Sequence, residues 1–380
     1  MITLFGSYVG EEELRAIQDS MQRQWLGIGP KVAEFEKRMA EKCKAPDFAF
    51  VNSGSNALLM SVRLLNLPKN SEVIIPSFTW IACANAVCLE GLKPVFCDVD
   101  LKTFNMRAED VEKKITKKTS AIMVVHYAGK PVNMDAIKNF GLPIIEDAAH
   151  AIDSYYKGKH CGTIGDVGIF SFDAVKNLTT GEGGGVVSLD VKKLERAKKL
   201  RYCGIGKSGF QASASKQRWW EYEISESFPK MLNTDIAASI GLEQLKKLKN
   251  FQSRRKQLWE TFTNILTKED WANSWIEAPA GPEKDEQHSY FTYCIKLKTG
   301  SRDQLAKFLY EKGVYTSLRF HPLHLNHFYG CDDVLPNCEK LNEMALNIPF
   351  HHRLSNQDVD QIFCALKEFK NKVPATTLHG

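Results

Sequence analysis

The chain has 380 residues, of which 43% are hydrophobic and 25% charged, as in an ordinary globular protein large enough for more than one domain. The net charge is only +5, and the basic residues are scattered in short groups, so nucleic-acid binding is not expected. No apolar run is long enough to span a bilayer, and the start lacks the pattern of a secretory signal. The ten cysteines form no CxxC pair, which favours buried thiols over disulfides or a metal site, and we expect a cytoplasmic protein.

The first two thirds of the chain alternate between helical patterns and short apolar runs. Residues 11–42 predict helices with a break at Gly27–Pro30. Between Phe48 and Asp190, seven Val/Ile/Phe-rich runs alternate with helical patterns, which predicts βαβ units around a mainly parallel seven-stranded sheet with helices on both faces. The runs are 48–51, 72–75, 93–97, 120–126, 143–147, 168–172 and 184–188.

The last third has fewer signals of parallel strands. A long helical pattern begins at Asp235 and continues to Ile265. Beyond it we predict strands over 290–297 and 316–320 and helices over 302–312, 336–347 and 356–370. The chain therefore divides into a large domain, residues 1–245 with the N-terminal helices, and a smaller C-terminal α/β domain, residues 246–380.

Two predicted strands end in residues that carry chemistry. Asp147 closes the run 144–147, and Lys176 follows the run 168–172. An amine and an acid at the carboxyl ends of parallel strands are two parts of a pyridoxal phosphate site, where the amine forms the Schiff base and the acid pairs with the pyridinium nitrogen. Taken alone, Asp147 could equally be a helix N-cap, because Ala148 and Ala149 follow it.

Two further segments fit the same site. The turn Ser53–Asn56 follows a strand and opens a helix, so it is either an anion site or a plain N-cap. Ser171 could reach the same anion. Trp80, after the strand exit at Ile75, could stack on a flat ring, although core packing is the commoner role of a tryptophan. The stretch Gly181–Gly185 indicates room for the chain to turn rather than a phosphate loop.

In this order the segments resemble the DegT/DnrJ/StrS-type sugar-nucleotide aminotransferases, a branch of the fold-type-I pyridoxal phosphate enzymes. The resemblance covers residues 5–365 and implies an aspartate aminotransferase-like fold. The matching segments are Trp25–Pro30, Ser53–Leu58, Pro76–Trp80, His126–Pro131, Glu146–Ala151, Ser171–Gly184 and Pro322–His324.

The resemblance also implies roles for individual residues. Lys176 would hold the cofactor and move the proton between the amino donor and the cofactor, and Asp147 would pair with the ring nitrogen. Trp80 would stack on the ring and His150 would lie near its 3′-hydroxyl. The phosphate would bind to Ser55, Asn56 and Ser171.

Family members are homodimers in which one subunit lends a phosphate-contacting Asn or Lys to the other site, and Lys230 holds that place here. Five further residues are candidates for substrate binding: Trp25, Ile28, Arg319, His321 and His324. For Arg319, His321 and His324, a structural or surface role is an equal alternative. No metal is implied.

Three segments depart from the family pattern and put the acceptor in doubt more than the chemistry. Asp173 places an extra negative charge near the lysine, where the family often has an aromatic residue or His. The segment Tyr202–Tyr222 is longer than usual and could shape substrate choice. Phe228–Asn233 replaces the common sequence before the helix at Asp235.

The expected reaction is a ping-pong transamination. Glutamate would convert pyridoxal phosphate to pyridoxamine phosphate, and a keto sugar linked to a nucleoside diphosphate would take the amine, in amino- or deoxysugar biosynthesis for a surface polysaccharide or a glycosylated metabolite. One alternative is a dehydratase of the same family, but such enzymes typically replace the lysine that is present as Lys176. A regulator that retains the fold would be expected to lose the acid or the lysine. A dinucleotide-binding dehydrogenase lacks support, since no GxGxxG follows the first strand.

Overall fold

A computed structural model describes residues 1–206 and 222–372. Two helices open the chain, α1 (Glu11–Gln22) and α2 (Pro30–Cys43), with the predicted break between them. Three glutamates occupy the first turn of α1, where negative charge is favourable, and Pro30 begins α2 at the position that tolerates a missing N–H. The predicted pair of N-terminal helices is confirmed.

A seven-stranded sheet forms the centre of the molecule, as predicted. Its order is β1-β9-β8-β5-β4-β2-β3, and only β9 runs antiparallel to its neighbours. Between β5 and β8, the chain forms a short hairpin of the strands β6 and β7. The strands are β1 (Ala49–Val51), β2 (Glu72–Pro76), β3 (Lys93–Cys97), β4 (Thr119–Val125), β5 (Ile144–Asp147), β6 (Tyr155–Tyr156), β7 (Lys159–His160), β8 (Val167–Ser171) and β9 (Gly184–Val187).

Helices cover both faces of the sheet because alternate residues of its strands are apolar on both sides. Along β2, Val73 and Ile75 join one buried cluster with α3, α4 and α7, while Ile74 joins the other cluster with α2, α6 and α8. The helices of this part of the chain that follow α2 are α3 (Gly54–Leu64), α4 (Ala82–Leu89), α5 (Ala108–Glu112), α6 (Met134–Lys138), α7 (Val191–Leu200) and α8 (Asp235–Lys268).

No helix of the described residues is both long and apolar enough to cross a membrane.

The C-terminal part packs a third apolar cluster around an antiparallel sheet of order β10-β12-β13. The predicted division at residue 245 falls inside the continuous helix α8, and it stays a prediction. The elements are α9 (Asp270–Asn273), β10 (Ile276–Glu277), β11 (Glu286–Gln287), β12 (Tyr293–Leu297), α10 (Arg302–Glu311), α11 (Pro336–Met344), β13 (Ala345–Ile348) and α12 (Asn356–Lys372), with 3₁₀ turns at Tyr127–Gly129, Leu323–Leu325 and His327–Tyr329.

Two predictions for this part are wrong. The segment 316–320 is not a strand, because only Ser317 forms a bridge, to Asn347, and the rest of the segment bends along a cavity. The helix predicted over 336–347 ends at Met344, since residues 345–348 pair with β12 as the strand β13. The first segment lacks the pairing partner that a strand requires, and in the second the pairing with β12 overrides the helical pattern.

The second-last residue of β5 anchors the loop that leads into β8. The Glu146 carboxylate is fully buried and accepts hydrogen bonds from the backbone N–H groups of Gly162 (2.8 Å), Ile164 (2.6 Å) and Gly165 (2.5 Å). It also contacts His126 Nε2 at 2.9 Å. Burial alone would raise the pKa of this carboxyl, but His126 and the backbone donors outweigh burial and hold the pKa below the usual 4.5.

Replacing this carboxylate tests how much it stabilises the fold. We expect Glu146→Gln to lower the free energy of unfolding at pH 7 by about 3 kcal/mol, because one buried oxygen becomes a donor that faces other donors. The lowered pKa of Glu146 stabilises the fold above the unfolded-state pKa, and this contribution disappears as the pH falls through the folded-state pKa. The difference between the two proteins in urea denaturation should therefore shrink towards acidic pH.

The exposed Glu41 on α2 is the matched control for this substitution. Glu41→Gln should change the free energy of unfolding by less than about 0.5 kcal/mol. An equal effect of both substitutions would contradict an anchoring role for Glu146.

Candidate active site

A cavity of about 440 Å³ opens where β5 and β8 end and α3 begins. Binding sites of parallel sheets lie at this edge, beyond the carboxyl ends of the strands. Six of the residues predicted from the sequence to bind the cofactor line it: Asp147, Lys176, Ser171, Ser55, Trp80 and His150. The structure therefore brings most of the predicted cofactor site together.

Lys176 lies on the loop that leaves β8. Backbone hydrogen bonds from Phe172 to Gly183 (2.8 Å) and from Thr180 to Phe172 (2.9 Å) close this loop at its base. The side chain of Lys176 is half-buried, and its Nζ lies 4.6 Å from the centre of the Phe291 ring. The amine thus enters the cavity against an aromatic face that shields part of it from water.

The surroundings of Lys176 lower the pKa of its amine to about 8. Burial is the largest cause, and the positive charge of Arg319 adds to it, while the carboxylates of Asp147 and Asp173 oppose both. A fraction of the amine is therefore neutral near pH 7, as a nucleophile or a proton acceptor requires. Asp173 also lines the cavity, so its extra negative charge does lie near the lysine.

Asp147 is held at the end of β5 by two donors. Its Oδ1 accepts the backbone N–H of Ala149 at 2.9 Å, and its Oδ2 lies 3.2 Å from the thiol sulfur of Cys83. A turn, not a helix, follows Asp147, so the alternative of a helix N-cap is wrong. The carboxylate faces the cavity with its remaining acceptor capacity.

The N-terminus of α3 forms the anion end of the cavity. Ser53 caps this helix by accepting the N–H of Asn56 at 3.1 Å, whereas Ser55 is exposed to the cavity. A Cβ atom on Gly54 would lie 2.9 Å from Ser171 Oγ, so glycine lets the end of β8 approach the turn. The cap and an open anion position therefore exist together.

Two aromatic side chains border the cavity on its other sides. Trp80 is 56% exposed and lies 5.7 Å from the Phe320 ring, so it is free to stack on a ligand instead of filling the core. His150 is buried and stacks on Phe291 with the ring centres 4.1 Å apart. Burial, then the charges of Lys176 and Arg319, hold the pKa of His150 well below its usual value. Within residues 1–206 and 222–372, its buried Nδ1 has no hydrogen-bond partner.

The known family that this geometry matches is the DegT/DnrJ/EryC1/StrS aminotransferase family, whose model covers residues 7–367. The chain belongs to this family. It is 36% identical over 366 residues to the dTDP-4-dehydro-2,3,6-trideoxy-D-glucose 4-aminotransferase of Saccharopolyspora spinosa, with 94% of each chain covered. The predicted enzyme class is thereby confirmed, and the dehydrogenase alternative is wrong.

Solved structures agree with this assignment. The aminotransferase TlmJ from Streptoalloteichus hindustanus is 36% identical and superposes with a TM-score of 0.90, covering 97% of this chain and 98% of the other. The putative sugar aminotransferase Spr1654 from Streptococcus pneumoniae, in its PMP-form, is 28% identical with a TM-score of 0.91, covering 98% and 100%. The same protein was solved in a PLP-form. The fold is that of the fold-type-I enzymes, as predicted.

Other predicted residues of this DegT/DnrJ-type chain lie away from the cavity lining. Asn56 turns its amide to Asn52 Oδ1 at 2.7 Å, and His324 is buried against Ser77 Oγ at 2.6 Å. His321 is exposed and contacts Asn342, while Trp25 donates to the carbonyl of Ile28 at 2.9 Å. Lys230 is exposed. The predicted ligand contacts of these residues stay predictions.

Arg319 is the one predicted substrate residue that lines the cavity. Its guanidinium lies 4.0 Å over the Phe5 ring, and its backbone is held by Asn347 Oδ1 (2.8 Å) and by the Tyr127 hydroxyl. Burial lowers the pKa of Arg319. A cation packed between aromatic rings at the cavity wall suits an anionic ligand.

Sequence reasoning missed four residues that surround the lysine and the acid: Cys83, Phe291, Phe320 and Glu182. Only Glu182 could have been found, since it lies in the segment that carries the family resemblance. In the departing segment Phe228–Asn233, the buried Asn233 donates to the carbonyl of Val51 at 3.0 Å. Most of the segment Tyr202–Tyr222, namely 207–221, lies outside the described residues.

The close approach at Gly54 predicts a measurable effect on phosphate binding. Gly54→Ala should weaken binding of pyridoxal phosphate at least about tenfold, because the new methyl group displaces Ser171 from the turn. Titration of the purified protein by fluorescence or absorbance measures the affinity. Gly281→Ala is the matched control, since its Cβ would meet only one atom, at 3.9 Å, and it should leave the affinity unchanged.

Proposed function

We propose that this protein is a pyridoxal phosphate-dependent aminotransferase that moves an amino group from glutamate to the keto group of a nucleoside diphosphate-linked sugar, in the biosynthesis of an amino or deoxysugar. One observation carries the proposal: Lys176, Asp147 and the open N-terminus of α3 face the same cavity. Amine, acid and anion site correspond to the aldehyde, ring nitrogen and phosphate of that cofactor.

The residues present fit this cofactor. Ser55 and Ser171 supply hydroxyls at a helix N-terminus, where a phosphate is favourable, and Gly54 keeps the space between them open. The Nδ1 of His150, which has no partner in the described part of the chain, suits a hydroxyl on the ring edge. When bound, the cofactor supplies an electron sink that weakens the C–H bond of the amino donor.

The protein's own part in the reaction is the movement of a proton. The Lys176 amine, whose pKa is lowered to about 8, can take the proton from the Cα of the amino donor and pass it to the cofactor. The carboxylate of Asp147, which Ala149 and Cys83 hold in place, stabilises positive charge on a group bound in the cavity. The exposed Trp80 lines one side of the cavity and can stack on the ring of the cofactor.

The presence of Lys176 favours amine transfer over dehydration, because the resemblance implies another residue in its place in a dehydratase. A non-catalytic regulator would have no need of an amine whose pKa is shifted by its surroundings. The S. spinosa relative is named for a dTDP-linked 4-keto sugar, which supports a 4-keto sugar nucleotide as the acceptor here.

We also propose a homodimer in which Lys230 contacts the phosphate in the neighbouring site. Lys230 is exposed and is not among the described residues that line the cavity of its own chain. Its backbone is tied to Tyr202 by an isolated bridge, and the buried residues Phe228 and Met231 flank it. These contacts hold the side chain at the surface, where a partner subunit can meet it.

A half-reaction tests the proposed chemistry. The purified protein loaded with pyridoxal phosphate should lose its visible absorption band when glutamate is added and regain it with a dTDP-linked 4-keto sugar. Lys176→Ala should abolish both changes, whereas Lys192→Ala on the exposed start of α7 should leave both unchanged. If no amino donor changes the band, the protein is not an aminotransferase.

The pKa of Lys176 predicts how cofactor uptake depends on pH. The rate of uptake by the apo protein should rise through a midpoint near pH 8, since only the neutral amine attacks an aldehyde. Arg319→Gln should move this midpoint to higher pH, because a neighbouring positive charge that disfavours the ammonium form is removed. Stopped-flow absorbance measures the rate, and a midpoint that stays in place would exclude Arg319 as a cause.

A further inference from the structure

A cysteine thiol lies beneath the acid of the cavity. Cys83, the second residue of α4, is fully buried, and its Sγ is 3.2 Å from Asp147 Oδ2. The hydroxyl of the buried Thr79 is 3.4 Å from the same sulfur. Since Ala149 N–H binds the other oxygen at 2.9 Å, each oxygen of the carboxylate has one donor among the residues that the structure describes.

The direction of this hydrogen bond follows from which of the two groups carries a proton. Burial, then the negative charge of Asp147, raise the pKa of the Cys83 thiol well above its usual value, so the sulfur keeps its proton. An ionised carboxylate only accepts hydrogen bonds, and the thiol is therefore the donor. The Thr79 hydroxyl is left to donate to the sulfur.

The strength of the donor matters for a carboxylate that has a second task. A thiol is a weak donor, so it fixes the position of Oδ2 while it withdraws little of the charge. A hydroxyl in the same place would bind an ionised acceptor more strongly and leave less acceptor strength towards the cavity. The thiol therefore holds the carboxylate in position and also leaves most of its charge available to the cavity.

We propose that Cys83 is a positioning residue for Asp147, whose thiol orients the carboxylate towards the ring nitrogen of the cofactor and leaves it free to bind that nitrogen. This inference rests on the proposed function. Cys83 does not touch the substrate and acts only through Asp147.

Two pairs of variants separate the hydrogen bond from packing. Cys83→Ala and Cys83→Val remove the donor, whereas Cys83→Ser and Cys83→Thr keep one at a similar size. We expect the first two to weaken pyridoxal phosphate binding roughly fivefold, as the loss of one hydrogen bond does. The other two should bind the cofactor more tightly than the first two but less tightly than the wild type, because a hydroxyl holds the carboxylate in place yet draws more on its charge. In the first two, the pH midpoint of the cofactor's visible absorption change should also rise, because a less firmly protonated ring withdraws less charge from the Lys176 nitrogen.

Equal affinity and equal midpoints in all four variants would overturn the proposal, and so would equal losses in all four, since Cys83 would then serve packing alone. If the Ala and Val variants do not fold, an infrared difference spectrum of the apo protein decides. The S–H stretching band should move to higher frequency in Asp147→Asn, and an unmoved band would refute the hydrogen bond. Wild-type protein that takes up no pyridoxal phosphate would instead refute the proposed function, and the infrared result would still stand.

Discussion

The pairing of β5 with β8 is the constraint on which the site depends. Its parallel register places Asp147 beside Ile169, so the chain leaves β8 next to the acid and reaches Lys176 a few residues later. Successive residues of a strand point to opposite faces, and β5 uses both of them. Glu146 holds the loop before β8 from one face, while Asp147 serves the cavity on the other.

The same register accounts for the state of the lysine. Its amine is partly shielded from water against Phe291 and lies near Arg319, and both effects favour the neutral form. The nearby carboxylates prevent the pKa from falling further. The strand pairing thus contributes to the pKa of Lys176, because the distances that it fixes decide which charges lie near the amine.

The sheet was predictable because buried parallel strands are marked by short apolar runs, and all seven runs became strands at nearly the predicted bounds. Asp147 and Lys176 were predictable because polar residues at strand exits stand out against those runs. The segment 316–320 was predicted as a strand, but only Ser317 finds a partner, and residues 345–347 were predicted as helix, but they pair with β12. Whether a segment finds a pairing partner depends on the fold, which the local pattern does not reveal. Cys83 was missed for a related reason: inside an apolar helix it looks like any buried thiol, and only the fold shows the carboxylate beside it.

The charge of the cavity supports the proposal that a second subunit contributes a cation to the site. Among the described lining residues, three carboxylates (Asp147, Asp173 and Glu182) face two cations (Lys176 and Arg319), and His150 is neutral. Burial is the larger cause of the raised pKa of Glu182, and the negative charge of Asp173 adds to it. A phosphate would add to this excess, and the helix N-terminus offsets only about half a charge. A cation from outside the chain's own cavity would restore the balance, and this is the part that we assign to Lys230 of a neighbouring copy.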